Sequence, residues 1–178
     1  MKSKPDKPIL KPLVEMALVG EIALQVKLAE IAGENLSSAS TSVEYWSAIQ
    51  SILSASANVS KILWPARKER RARGEYLRDL LNVDEGHLLS GRKIRNSFEH
   101  YDERIEDWFE EHETASYCDL ALEAQVPGLL MPPKFSHRSY DQYTCDLKFR
   151  DEKINLQELF SELAKLREKC RPYSLIDY

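Results

Sequence analysis

Cysteine is scarce in this chain: Cys118, Cys145 and Cys170 are three in 178 residues, with no Cys-x-x-Cys pair. Neither a disulfide framework nor a zinc site is indicated. Glycine numbers six, and no phosphate-cradling glycine loop or Gly-x-Ser-x-Gly elbow occurs. None of the four histidines has a glutamate three positions before it, which removes the Glu-x-x-His pairs of a carboxylate-bridged metal bundle. No metal and no cofactor is expected. A long hydrophobic run is also missing, because the most apolar early stretch, LVEMALVGEIALQVKLAEIA, is interrupted by Glu15, Glu21, Lys27 and Glu30. Neither a signal peptide nor a membrane span is expected, and a reducing cytoplasm is the expected location. Positive charge is not in excess: the net charge is −4, so bulk charge does not announce a nucleic-acid binder.

What is present is ordinary for one globular domain, residues 1 to 178, with 43% hydrophobic and 30% charged residues and length enough to bury a core. The expected class is all-α, an up-and-down bundle of about five helices with a small β-hairpin before the C-terminal helix. Pro5, Pro8 and Pro12 make residues 1–12 an irregular lead. Leu13 to Ala32 forms the first helix, with Leu13, Val14, Ala17, Leu24, Leu28 and Ile31 as its apolar face and Gly33 as a left-handed cap. Leu36 to Ser40 reads as loop. Thr41 and Glu44 make a capping box for a second helix reaching about Leu63, rich in serine and alanine. Pro65 starts a third helix with Leu77, Leu80 and Leu81 on its buried edge. Asn82 to Gly86 turns the chain, and Asp84 caps a fourth helix from about Glu85 to His112.

Residues 113–138 lose periodicity and read as a long connection with a short helix near Cys118 to Ala124. Tyr143, Cys145, Leu147 and Phe149 alternate as a strand, Arg150 to Lys153 turns it, and Ile154 begins the return. Asn155 and Glu158 start the last helix, which continues until Pro172.

The fourth helix organises the chain. In RKIRNSFEHYDERIEDWFEEH, residues 92 to 112, Ile94, Phe98, Tyr101, Ile105 and Trp108 recur at steps of four and three and form one packing stripe. Counted from Ile94 at ~100° per residue, Arg95 falls at ~100°, Glu99 at ~140°, Asn96 at ~200° and His100 at ~240°. Folding does not explain these four, although a solvated face is the usual reading of such a surface. His112 falls on the stripe and reads as a satisfied helix-end histidine, while His87 and His137 carry no partner pattern. Charge is divided along the chain. Residues 61–78 carry Lys61, Arg67, Lys68, Arg70, Arg71, Arg73 and Arg78 against Glu69 and Glu75, with Arg92 and Lys93 extending the basic supply, whereas residues 99–113 carry eight acids against Arg104 alone. One region can hold phosphates; the other repels them.

Arg95-Asn96-Ser97-Phe98-Glu99-His100 resembles the Arg, polar, three residues, His signature of the HEPN superfamily of helical ribonucleases and toxins. The resemblance extends over residues 40 to 171 with a divergent stretch from 113 to 138, and its specific part is the six-residue motif. It implies a metal-independent endoribonuclease, a toxin or phage-defence effector, acting as a homodimer. RNA carries its own nucleophile in the 2′-hydroxyl, so the protein must supply proton transfer and charge for the doubly negative phosphate. By the resemblance, His100 is the acid/base residue and Arg95 the phosphate clamp, with Asn96 one turn before His100 to orient the imidazole or phosphate. Arg95 and His100 stand about 140° apart on one helix, and two copies across a two-fold axis would bring two of each into one cleft.

Glu99 is expected to take a structural role, paired with Arg95. Arg70, Arg71, Arg73, Arg92 and Lys93 are the expected RNA contacts. In some HEPN toxins a tyrosine two places beyond the histidine is modified by a partner antitoxin. Here Asp102 occupies that place and Tyr101 belongs to the stripe, so an antitoxin partner stays open. The alternative is a HEPN-like module that binds RNA or protein without cleaving.

Overall fold

The computed structural model describes residues 10–91, 96, 99–112, 117–123 and 136–174. The chain is mostly helical, with five α-helices among the described residues and a small four-stranded sheet before the last of them. No helix among these residues is long and apolar enough to cross a membrane.

Helix α1 spans Pro12–Ser38, with proline in its first turn, where a missing amide proton costs nothing. It runs straight through Gly33 and well past the expected end at Ala32. Glycine here serves packing instead of capping: a β-carbon at Gly33 would stand 2.7 Å from Cζ of Phe160. The buried face is Val19, Ile22, Val26 and Ala29, while Leu13, Val14, Leu28 and Ile31 stay exposed. This reverses the expected face, because two apolar stripes lie on α1 and only its partner helix decides which one is covered.

Helix α2, Ser42–Leu63, starts at the expected box: Thr41 Oγ1 accepts from the Glu44 amide while Glu44 accepts from the Thr41 amide. Those donations, with the Ser40 amide first among them, hold the Glu44 carboxyl down at about 2. The small residues of α2 divide, with Ala48, Ala55, Ser56 and Ser60 buried and Ser47, Ser51 and Ser54 exposed. Asn58 donates to Gln25 across the α1–α2 pair at 3.2 Å.

Pro65 does not begin a helix. A 3-10 turn at Lys68–Arg70 leads into α3, Arg71–Leu80, and Pro65 packs against Gly74, where an added β-carbon would meet Pro65 Cδ at 2.5 Å and the Leu63 carbonyl at 2.6 Å. Gly74→Ala is therefore expected to destabilise the fold by about 1–2 kcal/mol, because overpacking of about 1–3 kcal/mol outweighs the roughly 1 kcal/mol gained in helix propensity. A lowered urea midpoint reads this. An unchanged or raised midpoint refutes the close packing of α3 on the end of α2.

The sheet has the order β1-β2-β3-β4, with β1 at Ala121–Glu123, β2 at Arg138–Asp141, β3 at Asp146–Phe149 and β4 at Glu152–Asn155. β1 runs parallel to β2 and the other pairs are antiparallel. The expected strand from Tyr143 is shorter, because the Asp141 carboxylate accepts from the amides of Tyr143 and Thr144 and Cys145 takes a positive φ. That closes a turn before β3 can begin. The short helix expected at Cys118 to Ala124 is absent from residues 117–123. Cys118 bridges Ser136 in parallel and β1 pairs with β2, partners too distant in sequence for local periodicity to announce. Helix α5, Leu156–Cys170, follows β4 directly, with Asn155 accepting from the Glu158 amide at its start and Pro172 in the 3-10 turn beyond its end. Its Leu159, Leu163 and Leu166 fill the core between α1 and α2.

Candidate functional site

Arg95 lies outside the described residues, as do Arg92 and Lys93. Asn96 and Glu99 are helical and exposed, and His100 is an exposed turn residue. At His100 the backbone leaves the helix (φ −116°, ψ 43°), and α4 restarts at Tyr101–Glu111. One unbroken helix from Glu85 to His112 is thus corrected. Its front part, Leu88–Ser90, is a 3-10 turn whose capping acceptor is His87 Nδ1, not Asp84, taking the Leu89 amide at 3.2 Å. Asp102 and Glu103 occupy the first turn of α4, where carboxylates complement the positive end of a new helix dipole. The angles counted on one straight axis do not carry across it.

His100 remains tied to both sides. Its amide donates to the Asn96 carbonyl at 2.9 Å, its carbonyl accepts from the Arg104 amide at 3.3 Å, and its Nδ1 stands 3.9 Å from Glu103 Oε1. Glu99 makes an ion pair with Lys61 at 3.0 Å. That contact anchors the motif to the last turn of α2, where the basic segment begins.

The expected RNA contacts separate into two kinds. Arg70 and Arg71 are exposed. Arg73 is turned inward, its Nη2 donating to the carbonyls of Lys61 and Ile62 at 3.2 and 3.3 Å. Arg78 donates to the Leu63 carbonyl at 2.6 Å and lies over the Trp64 ring. Together they satisfy the free carbonyls at the negative end of α2. Burial, with Arg70 nearby, lowers the Arg73 pKa. Arg73 therefore caps the end of α2.

Tyr101, expected in the buried stripe, is 46% exposed. The guanidinium of Arg138 lies 5.5 Å from its ring centroid, and Arg138 is held by Asp119 through two hydrogen bonds of 2.9 and 2.5 Å. Ile105 is half-buried and Trp108 fully buried. Trp108 packs edge-on to Tyr117 and stacks on His112, whose Nδ1 lies 3.0 Å from the Trp108 carbonyl. His112 is the satisfied helix-end residue its position implied.

Below this lies His137, completely buried and in ring contact with Tyr117 and Phe149. Neither of its ring nitrogens has a hydrogen-bond partner among the described residues. Burial pushes its pKa below the ordinary histidine value against the opposing charge of Asp119, with Arg138, Arg150 and Arg104 lowering it further. Burial also raises the Tyr117 phenol, with help from Asp119, to about 12.

Sequence reasoning missed His137, Arg138 and Asp119, because parallel pairing of β1 on β2 is what assembles them. It also missed His87, whose Nε2 reaches Glu162 at 2.8 Å. Among the described residues no group of three or more potential ligands could hold a metal ion. No family model, curated protein or solved structure matches the chain.

Proposed function

We propose that the protein is a metal-independent endoribonuclease of HEPN type, a bundle of up-and-down helices that dimerises about a two-fold axis and cleaves single-stranded RNA in the cytoplasm as a toxin or phage-defence effector. The observation that carries this reading is the exposed cluster of Asn96, Glu99 and His100, tied by Lys61 to the end of α2 where exposed Arg67, Lys68, Arg70 and Arg71 begin. In this reading the basic segment holds the phosphate chain and the Lys61–Glu99 pair links its start to the residue beside His100. His100 moves the proton of the 2′-hydroxyl or of the departing 5′-oxygen, Arg95 neutralises the phosphate, and Asn96 orients it. Glu99 positions the motif through its pair with Lys61. The symmetry-related copy supplies the second histidine and arginine.

Purified protein is expected to cut single-stranded RNA in EDTA and to leave 2′,3′-cyclic phosphate ends, the product of attack by the neighbouring hydroxyl. Intact RNA, or products with other ends, overturns the reading.

One observation favours a second reading, a binding module that does not cleave. Asp102, Glu103, Glu106, Asp107, Glu110 and Glu111 are all exposed on α4 beside His100, a surface that suits a basic protein partner better than RNA. It predicts a salt-sensitive protein complex and no cut products. An antitoxin is one such partner.

A further inference from the structure

The sheet reaches the motif helix through a set of groups that the cleavage chemistry does not use. Arg138 of β2 is fixed by Asp119 and lays its guanidinium on Tyr101, the residue directly after His100. Next to it in sequence, the backbone of His137 is pinned between the Cys118 carbonyl and the Arg150 amide, and its buried ring packs between Tyr117 and Phe149. We propose that β2 and α4 form an acid-sensitive latch, in which Arg138, fixed by Asp119, holds Tyr101 while the buried His137 backs Trp108 through Tyr117, and that protonation of His137 releases α4 from the sheet.

The charges around the ring decide the direction. Three arginines on three elements act on His137 through their charge, Arg138 from β2, Arg150 from the β3–β4 turn and Arg104 from α4. Each already has its own carboxylate, in Asp119, Glu111 and Asp107 respectively. Asp119 favours a proton on His137, but it is committed to Arg138 through both oxygens. An imidazolium at this place is a fourth cation without hydrogen-bond acceptors on its ring among the described residues, and such a buried charge is strongly disfavoured.

His137 in the docked chain thus binds its proton more weakly than a free histidine does, and in the proposed latch undocking of α4 is what frees it to take one up. Attachment is complete above the ordinary histidine range and weakens as pH falls below about 6.5, until the docked His137 is itself protonated. The consequence for RNA cleavage rests on the function proposed above; the latch does not.

The test is hydrogen exchange of the full-length protein at about pH 7.5 and pH 5.5, corrected for intrinsic rates, with peptides of α4 compared with those of α1. In the wild type, α4 is expected to lose more protection than α1, by up to about tenfold, the most that an ordinary histidine's change of protonation between these two pH values can link to undocking. His137→Phe keeps an aromatic ring without a proton site, and His137→Leu covers the case in which that ring does not fit. Either should remove the difference. His112→Gln and His87→Gln should retain it, since those histidines contact Trp108 and Glu162. Equal losses in α4 and α1 of the wild type, a difference that survives in a folded His137 variant, or its abolition by His112→Gln overturns the latch. Absence of RNA cleavage at both pH values strikes only the nuclease reading, and leaves the exchange result to judge the latch.

Discussion

His100→Ala is expected to lower RNA cleavage in EDTA by about 10²–10⁴-fold, the range of a lost acid-base group, without lowering the thermal midpoint. The side chain is 59% exposed, and its described charged contact is Glu103 at 3.9 Å. Little packing is removed with it, so folding and activity separate in this variant. Such a separation is what distinguishes a reactive group from a structural one. Arg95→Ala is expected to behave alike, since both act on one phosphate, and the double variant should lose scarcely more than either single one. The measurements are initial cleavage rates on a single-stranded oligonucleotide beside melting curves. Wild-type rates in a folded His100→Ala protein would remove histidine chemistry from the mechanism and promote the binding-module reading.

Trp108→Ala should produce the largest effect on stability, about 3–5 kcal/mol, the usual cost of truncating a buried aromatic to alanine. Trp108 is 1% exposed and is the buried residue of α4. Its ring packs on Phe109, His112 and Tyr117, apart from the cluster that α1, α2 and α5 bury between them. The loss should therefore fall on the docking of α4 instead of on the whole fold. Limited proteolysis and hydrogen exchange are expected to open residues 101–112 while α1 and α2 keep their protection. A single cooperative transition, with α4 as protected as before at all denaturant concentrations below it, would contradict this two-part stability.

Much of the architecture can be read in local patterns, for reasons that particular residues make clear. Thr41 with Glu44, Asn155 with Glu158, and Pro172 act within one helical turn, so the ends of α2 and α5 follow from neighbouring residues alone. Asn96, Glu99 and His100 are exposed as their polar character implies, although the straight axis on which their angles were counted ends at His100. The break of the motif helix at His100 was less accessible. Periodicity continues through it, so apolar spacing gives no sign that the axis ends at His100.

Sequence by itself determined the predominance of helix, the caps of α2 and α5, the presence of strands before the last helix, and the six-residue motif with its basic neighbour. All of these depend on contacts within a few residues. Tertiary structure alone decided that Gly33 is a contact point instead of a cap, that Gly74 packs on Pro65, that Arg73 caps α2, that Asp119 and Arg138 meet beside Tyr101, and that His137 is buried against Tyr117. The reason is physical: a helix carries several faces that could be buried, and a strand edge can pair with any other. Which face and which edge are used depends on the free energy of the whole packed chain.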